Sequence, residues 1–141
     1  MAKRVPGVHM AGFVDTPERM STALASADAF LHGGAAETYG MAVAESICAG
    51  VPVVVPDVGG ANALYGAPWG ERYKAGDPDA AAAALLRLLD RDPVALRQAC
   101  AGKAAAIPSI EQHFENLFEV YGALCAEARS NQATPRLRVA S

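Results

Sequence analysis

The amino-acid sequence predicts an α/β fold, a parallel sheet flanked by helices with further helices towards the C-terminus. Three observations predict it. Short apolar runs alternate with helix-patterned segments, the order that builds a parallel sheet through right-handed crossovers. The run at 51–55 is almost wholly valine, which suits a central strand buried on both faces. Several helical segments open on a capping residue followed by proline, at the first-turn position where a missing N–H costs nothing.

In chain order, residues 9–14 read as a first strand ending near Gly12-Phe13-Val14. Thr16 caps a helix that begins at Pro17, with Met20, Leu24 and Ala27 on one face. Residues 28–32 form a second short strand, and Gly33-Gly34-Ala35-Ala36 a loop. A helix follows over about 40–49, closed by Gly50, and leads into the valine strand. Residues 57–70 are loop-rich, with one helical turn near 62–65, and 71–75 form a last strand. Asp77-Pro78 opens an alanine-rich helix to about 90, and Asp92-Pro93 another to about 106. Ser109 and Gln112 have the spacing of a capping box. They start a long helix to about 129, where His113, Phe114, Leu117, Phe118, Tyr121, Leu124 and Cys125 share one broad apolar face. Such a stripe needs cover or serves as an interaction surface.

A chain of 141 residues holds one core. The hydrophobic fraction of 52% favours folding, but only 6% is aromatic and much is alanine, so the core should be thin. The globular part is expected over 1–128, with a flexible tail over 129–141 that carries Arg129, Arg136 and Arg138. Net charge is −3 with no basic stripe, which argues against a nucleic-acid partner. Cys48, Cys100 and Cys125 lack metal-ligand spacing, so no metal site is expected. They read as buried small hydrophobes in a reducing compartment. No apolar signal segment follows the N-terminus and no stretch is long enough to span a bilayer. No integral membrane segment and a cytoplasmic location are therefore expected.

The chemistry concentrates in 32–60, HGGAAETYGMAVAESICAGVPVVVPDVGG. Between Glu37 and Asp57 the only charged residue is Glu45. A carboxylate in so apolar a helix loses hydration and needs donors, which paired sugar hydroxyls supply in dinucleotide folds; the alternative is that it faces solvent. Glu37 lies in the loop entering that helix. It is either a surface carboxylate favoured by the helix dipole or an acceptor for sugar hydroxyls. At Tyr39, Gly40 and Met41 a glycine turn leads into the helix, whose free amides make an anion site that suits a diphosphate. Gly59 and Gly60 follow the valine strand and either let backbone approach a ligand or punctuate a tight loop. His32 reads as a polar lining or structural residue. Tyr39 and Trp69 read as packing side chains.

This stretch resembles the two-glutamate motif of retaining GT-B glycosyltransferases of the family-four type. The matching residues are Glu37, Tyr39-Gly40, Glu45, Ala49-Gly50-Val51-Pro52-Val53 and Gly59-Gly60. Gly12-Phe13-Val14, Ala27-Asp28-Ala29 and Ala75-Gly76-Asp77-Pro78 resemble flanking features in order, so the likeness covers roughly 8–125. It implies a partial Rossmann-like sheet, the C-terminal donor-binding half of a GT-B fold with its first strands missing. Glu37 would contact donor-sugar hydroxyls as the catalytic-site residue. The backbone of Tyr39, Gly40 and Met41 would hold sugar and diphosphate, with Gly59 and Gly60 beside them, and Glu45 would bind the ribose. The resemblance implies no metal and no cofactor; a nucleotide-diphosphate sugar is the donor substrate.

Two departures stand out. Ala63 sits where the family usually carries an acidic residue, and Lys3 and Arg4 do not match the cations that grip the diphosphate. The resemblance also implies an acceptor-binding domain that this sequence lacks, so the isolated chain is expected to be inactive. The last helix of the family reaches back to that domain. Two alternatives stay open: a non-catalytic nucleotide-sugar-binding remnant, and an assembly module that completes its sheet with a second chain.

Overall fold

The computed structural model describes residues 5–132. The chain divides into two compact units, Met1–Ala106 and Ile107–Ser141.

The first unit carries three parallel strands, β1 (Phe30–Leu31), β2 (Val53–Pro56) and β3 (Gly70–Tyr73), in the order β1-β2-β3. Its helices are α1 (Pro17–Ala25), α2 (Met41–Cys48), α3 (Gly59–Ala63), α4 (Pro78–Leu89) and α5 (Pro93–Ala104). An open parallel sheet with helical crossovers is the α/β fold the alternating pattern predicts, and it has the partial Rossmann-like form the resemblance implies. The register pairs Phe30 with Val53 and Val53 with Gly70. β2 is central and buried at every position, which is why its sequence shows no polar alternation.

The core is built around β2. Val54 packs with Ala84 and Leu88 of α4 and Leu96 of α5. Val53 and Val55 point to the opposite face of the strand and are fully buried. From α2, Val43, Ala44 and Ile47 are buried. So is Ser46, whose hydroxyl donates to the Ala42 carbonyl at 2.8 Å and so leaves no unpaired polar atom. The predicted caps form: the side chains of Thr16, Asp77 and Asp92 accept from the amides of Arg19, Ala80 and Val94. Arg87 of α4 and Arg91 just beyond its end reach Glu71 on β3 at 3.1 and 3.7 Å, tying α4 back to the last strand.

Three expectations need correction in this unit. The strand expected over 9–14 does not form, and Met10 and Phe13 are 84% and 92% exposed. A strand is held by ladder bonds to a neighbour, and among the described residues β1 pairs with β2 alone. The Gly59-Gly60 pair opens the helix α3 instead of lying in a loop, so the helical turn comes earlier than 62–65. Cys48 is exposed, as is Cys125 in the second unit, and only Cys100 is buried. On α2 the buried face is taken by Val43, Ala44 and Ile47, which turns Cys48 outward.

Burial pushes the Cys100 thiol up to about 11, against a smaller opposing pull from Arg97. The thiolate is the reactive form. Two of the three thiols are therefore expected to react with an alkylating reagent at pH 8 in the native chain, and the third only in denaturant. Rapid modification of Cys100 without unfolding would contradict this core.

The second unit holds α6 (Ile110–Gln132). The capping box forms in both directions: the Gln112 amide donates to the Ser109 hydroxyl at 3.2 Å, and the Ser109 amide to the Gln112 side chain at 3.0 Å. The Glu111 carboxyl is held below its usual range by its own backbone amide and then by the Ser109 hydroxyl. Phe114 and Phe118 stack at 6.2 Å, and Phe114, Phe118, Tyr121 and Leu124 are exposed. One helix cannot cover its own stripe. The helix carries Arg129 and runs on to Gln132; the remainder of the tail expected over 129–141, with Arg136 and Arg138, lies outside the described residues.

Candidate functional site

Parallel strands deliver their following loops to one edge of the sheet, and α/β folds use that edge for ligands. β1 leads into the loop 32–40, and β2 into Asp57, Val58 and α3. Those two connections touch. The Gly60 amide donates to the Glu37 carbonyl at 2.6 Å. Gly59 has φ +76°, and a Cβ there would lie 2.6 Å from the Ala35 carbonyl oxygen. A Cβ on Gly60 would run into the Thr38 carbonyl. This glycine pair therefore lies in close contact with the 35–39 loop, whose backbone it clamps.

Gly40 is buried, with φ +92°, and caps α2 through its backbone alone. A Cβ there would stand 3.0 Å from Ala61 Cα, so the left-handed turn and the contact with α3 both require glycine. The amides of Val43 and Ala44 bond to the Gly40 carbonyl. No side chain caps this first turn, in contrast to α1, α4 and α5. The positive end of α2 thus opens beside the Glu37 loop. Met41 is exposed. Tyr39 is exposed too, so it is not the packing residue expected, because the chain turns outward just before Gly40. Trp69 does pack, donating to the Leu64 carbonyl at 3.0 Å.

Glu37 is half-buried, with Oε2 3.9 Å from His32 Nε2. The His32 side chain is only 13% exposed. Its Nε2 is buried without a hydrogen-bond partner among the described residues. The Tyr73 hydroxyl donates to the His32 carbonyl at 2.7 Å, tying β3 to this loop. The Asp57 carboxylate accepts from the Ala75 amide at 2.9 Å, a second tie along the same edge.

Glu45 lies one helical turn beyond Met41, about 6 Å along the axis. Its side chain is exposed, so of the two readings the composition of α2 left open, the solvent-facing one holds. The apolar residues of the helix face the core and leave Glu45 on the opposite side. There it lines an open cavity of about 380 Å³ with Pro17, Met20, Ser21 and Leu24 of α1 and with Cys48 and Ala49.

The structure thus brings Glu37, Tyr39, Gly40, Met41, Gly59 and Gly60 to one edge, and sets Glu45 on the flank of the same helix. The contact between His32 and Glu37 escaped sequence reasoning. The signal available was a histidine at a strand end followed by two glycines, two alanines and a glutamate, a spacing at which the chain can fold back on itself. Among the described residues no group of histidines, cysteines and carboxylates is arranged to hold a metal, and no helix is long and apolar enough to cross a membrane.

No individual curated protein matches the chain. The family described as Glycosyl transferases group 1 matches residues 1–91. That span holds the whole sheet, the helices α1 to α4 and every candidate site residue. On a match over more than half its length, the chain belongs to the group 1 glycosyl transferases.

Proposed function

We propose that this chain forms the donor-binding part of a retaining GT-B glycosyltransferase of the family-four type, working in the cytoplasm. It holds a nucleotide-diphosphate sugar while the sugar passes to an acceptor hydroxyl with its configuration kept. The observation that carries the reading is the uncapped start of α2 beside Glu37 at the carboxyl edge of two parallel strands. Free amides and the helix dipole there favour a diphosphate without a metal. Glu37 takes hydroxyls of the donor sugar, and the backbone of Tyr39, Gly40 and Met41 takes the phosphates and the sugar edge. Gly59 and Gly60 hold that loop in place and lend it their backbone. Glu45 takes the ribose hydroxyls from the rim of the α1–α2 cavity. Stabilising the departing diphosphate carries much of the catalysis, because charge develops there as the glycosidic bond breaks. The nucleophile is the acceptor hydroxyl.

Calorimetric titration of the 141-residue chain with UDP, UDP-glucose, GDP and GDP-mannose tests the reading. Saturable binding of one base in both forms, with the sugar nucleotide displaced by its nucleotide, is the expected result. No heat from any of the four, with the circular dichroism of a folded chain, would sink it.

A further inference from the structure

We propose that His32 is a positioning residue for Glu37: its buried Nε2–H aims the Glu37 carboxylate at the donor sugar. The inference rests on the proposed role of Glu37 as the acceptor of sugar hydroxyls.

His32 is held from several directions. Its backbone amide donates to the Val54 carbonyl at 2.9 Å, and its backbone carbonyl accepts from the Tyr73 hydroxyl. The ring stacks on Phe30 at 6.3 Å between centroids. Gly34 lies over it so closely that a Cβ there would stand 2.9 Å from Nε2. Sheet and loop together therefore fix where Nε2 points. That nitrogen is buried and has no hydrogen-bond partner among the described residues. An unpaired polar atom in such a position costs stability, so it calls for a partner. The Glu37 carboxylate faces it at 3.9 Å, about 1 Å beyond hydrogen-bond length, a gap that a rotation of the glutamate side chain closes.

Glu37 needs such a guide. It sits in a loop whose backbone is fixed by Gly60, but its side chain is half-exposed, and His32 is the side chain paired with it. A carboxylate accepts at two oxygens. One oxygen on Nε2–H leaves the other free for a sugar hydroxyl, now in one orientation instead of several. The loss of side-chain freedom is then taken before the donor arrives, which favours binding. His32 is shielded from solvent and acts through Glu37, without touching the sugar.

The test compares the wild-type chain with His32→Phe, His32→Gln, Glu37→Gln and the double variant His32→Phe/Glu37→Gln. Each is titrated with UDP-glucose against UDP and with GDP-mannose against GDP. The affinity of the sugar nucleotide relative to its own nucleotide is the readout, and melting temperature guards against misfolding. Glu37→Gln and His32→Phe should each lower that ratio about ten-fold. The double variant should lose no more than either alone. His32→Gln keeps an N–H near the Nε2 position and should stay within about three-fold of wild type. Should His32→Phe fail to fold, Gly34→Ala replaces it, because its methyl pushes the ring off Glu37 without removing it, and the same loss is expected. A preserved ratio in His32→Phe or Gly34→Ala, with Glu37→Gln impaired, overturns the role of His32 and leaves that of Glu37 standing. A preserved ratio in Glu37→Gln removes both.

Discussion

Gly60→Ala is expected to destabilise the chain by about 3 kcal/mol, at the upper end of what overpacking costs. For a domain of this size that is a fall in melting temperature on the order of 15 °C. The added methyl would meet the Thr38 carbonyl and the Tyr39 amide. Both are backbone, so neither can swing aside as a flexible side chain would. The Gly60 amide bond to the Glu37 carbonyl would lengthen or break as well. Gly33→Ala is the control, since a Cβ there meets nothing within 4 Å, and its stability should stay within about 0.5 kcal/mol of wild type. Thermal and denaturant unfolding of the two variants check the prediction. If Gly60→Ala melted like Gly33→Ala, the 35–39 loop would not rest on α3, and the platform that carries Glu37 would have to be redrawn.

Glu45→Ala is expected to weaken nucleotide binding by about 1.5–3 kcal/mol, the loss of a charged hydrogen bond. That is roughly a ten- to hundred-fold rise in Kd for UDP or GDP, whichever the chain takes. The carboxylate is exposed and has no protein partner among the described residues, so its removal should alter stability by no more than about 0.5 kcal/mol. This separation makes the experiment clean, because a loss of affinity cannot be a loss of fold. The apolar wall contributed by Pro17, Met20 and Leu24 remains in place in the variant. An unchanged Kd, against measurable binding by the wild type, would remove Glu45 from the site.

The two glutamates differ in how legible they were. Glu45 stands out in the sequence as the single charge in an apolar helix, but that composition left open whether it would be dehydrated or face solvent. Helical periodicity sends Val43, Ala44 and Ile47 inward and leaves position 45 outside. Glu37 is an ordinary loop carboxylate by sequence. Its surroundings arise from two connections that are distant along the chain and adjacent at the sheet edge. Nothing local in the sequence signals that Gly60 would bond its carbonyl.

What the sequence determined by itself was the order and type of most elements. Thr16, Asp77, Asp92 and Ser109 mark helix starts because a side-chain oxygen satisfies amides that the helix leaves free, and each does so in the structure. The valine run marks the central strand because only a strand covered on both faces tolerates such a composition. These are local effects, set by near neighbours. The tertiary structure alone decided the rest. Residues 9–14 have the composition of a strand but no ladder partner, and a strand without one does not persist. The glycines at 59 and 60 read as a loop, but the 35–39 backbone pressing on them admits no side chain, and they begin a helix instead. Pairing and close approach depend on contacts between segments far apart in the chain, and those contacts exist only once the sheet has brought the segments together.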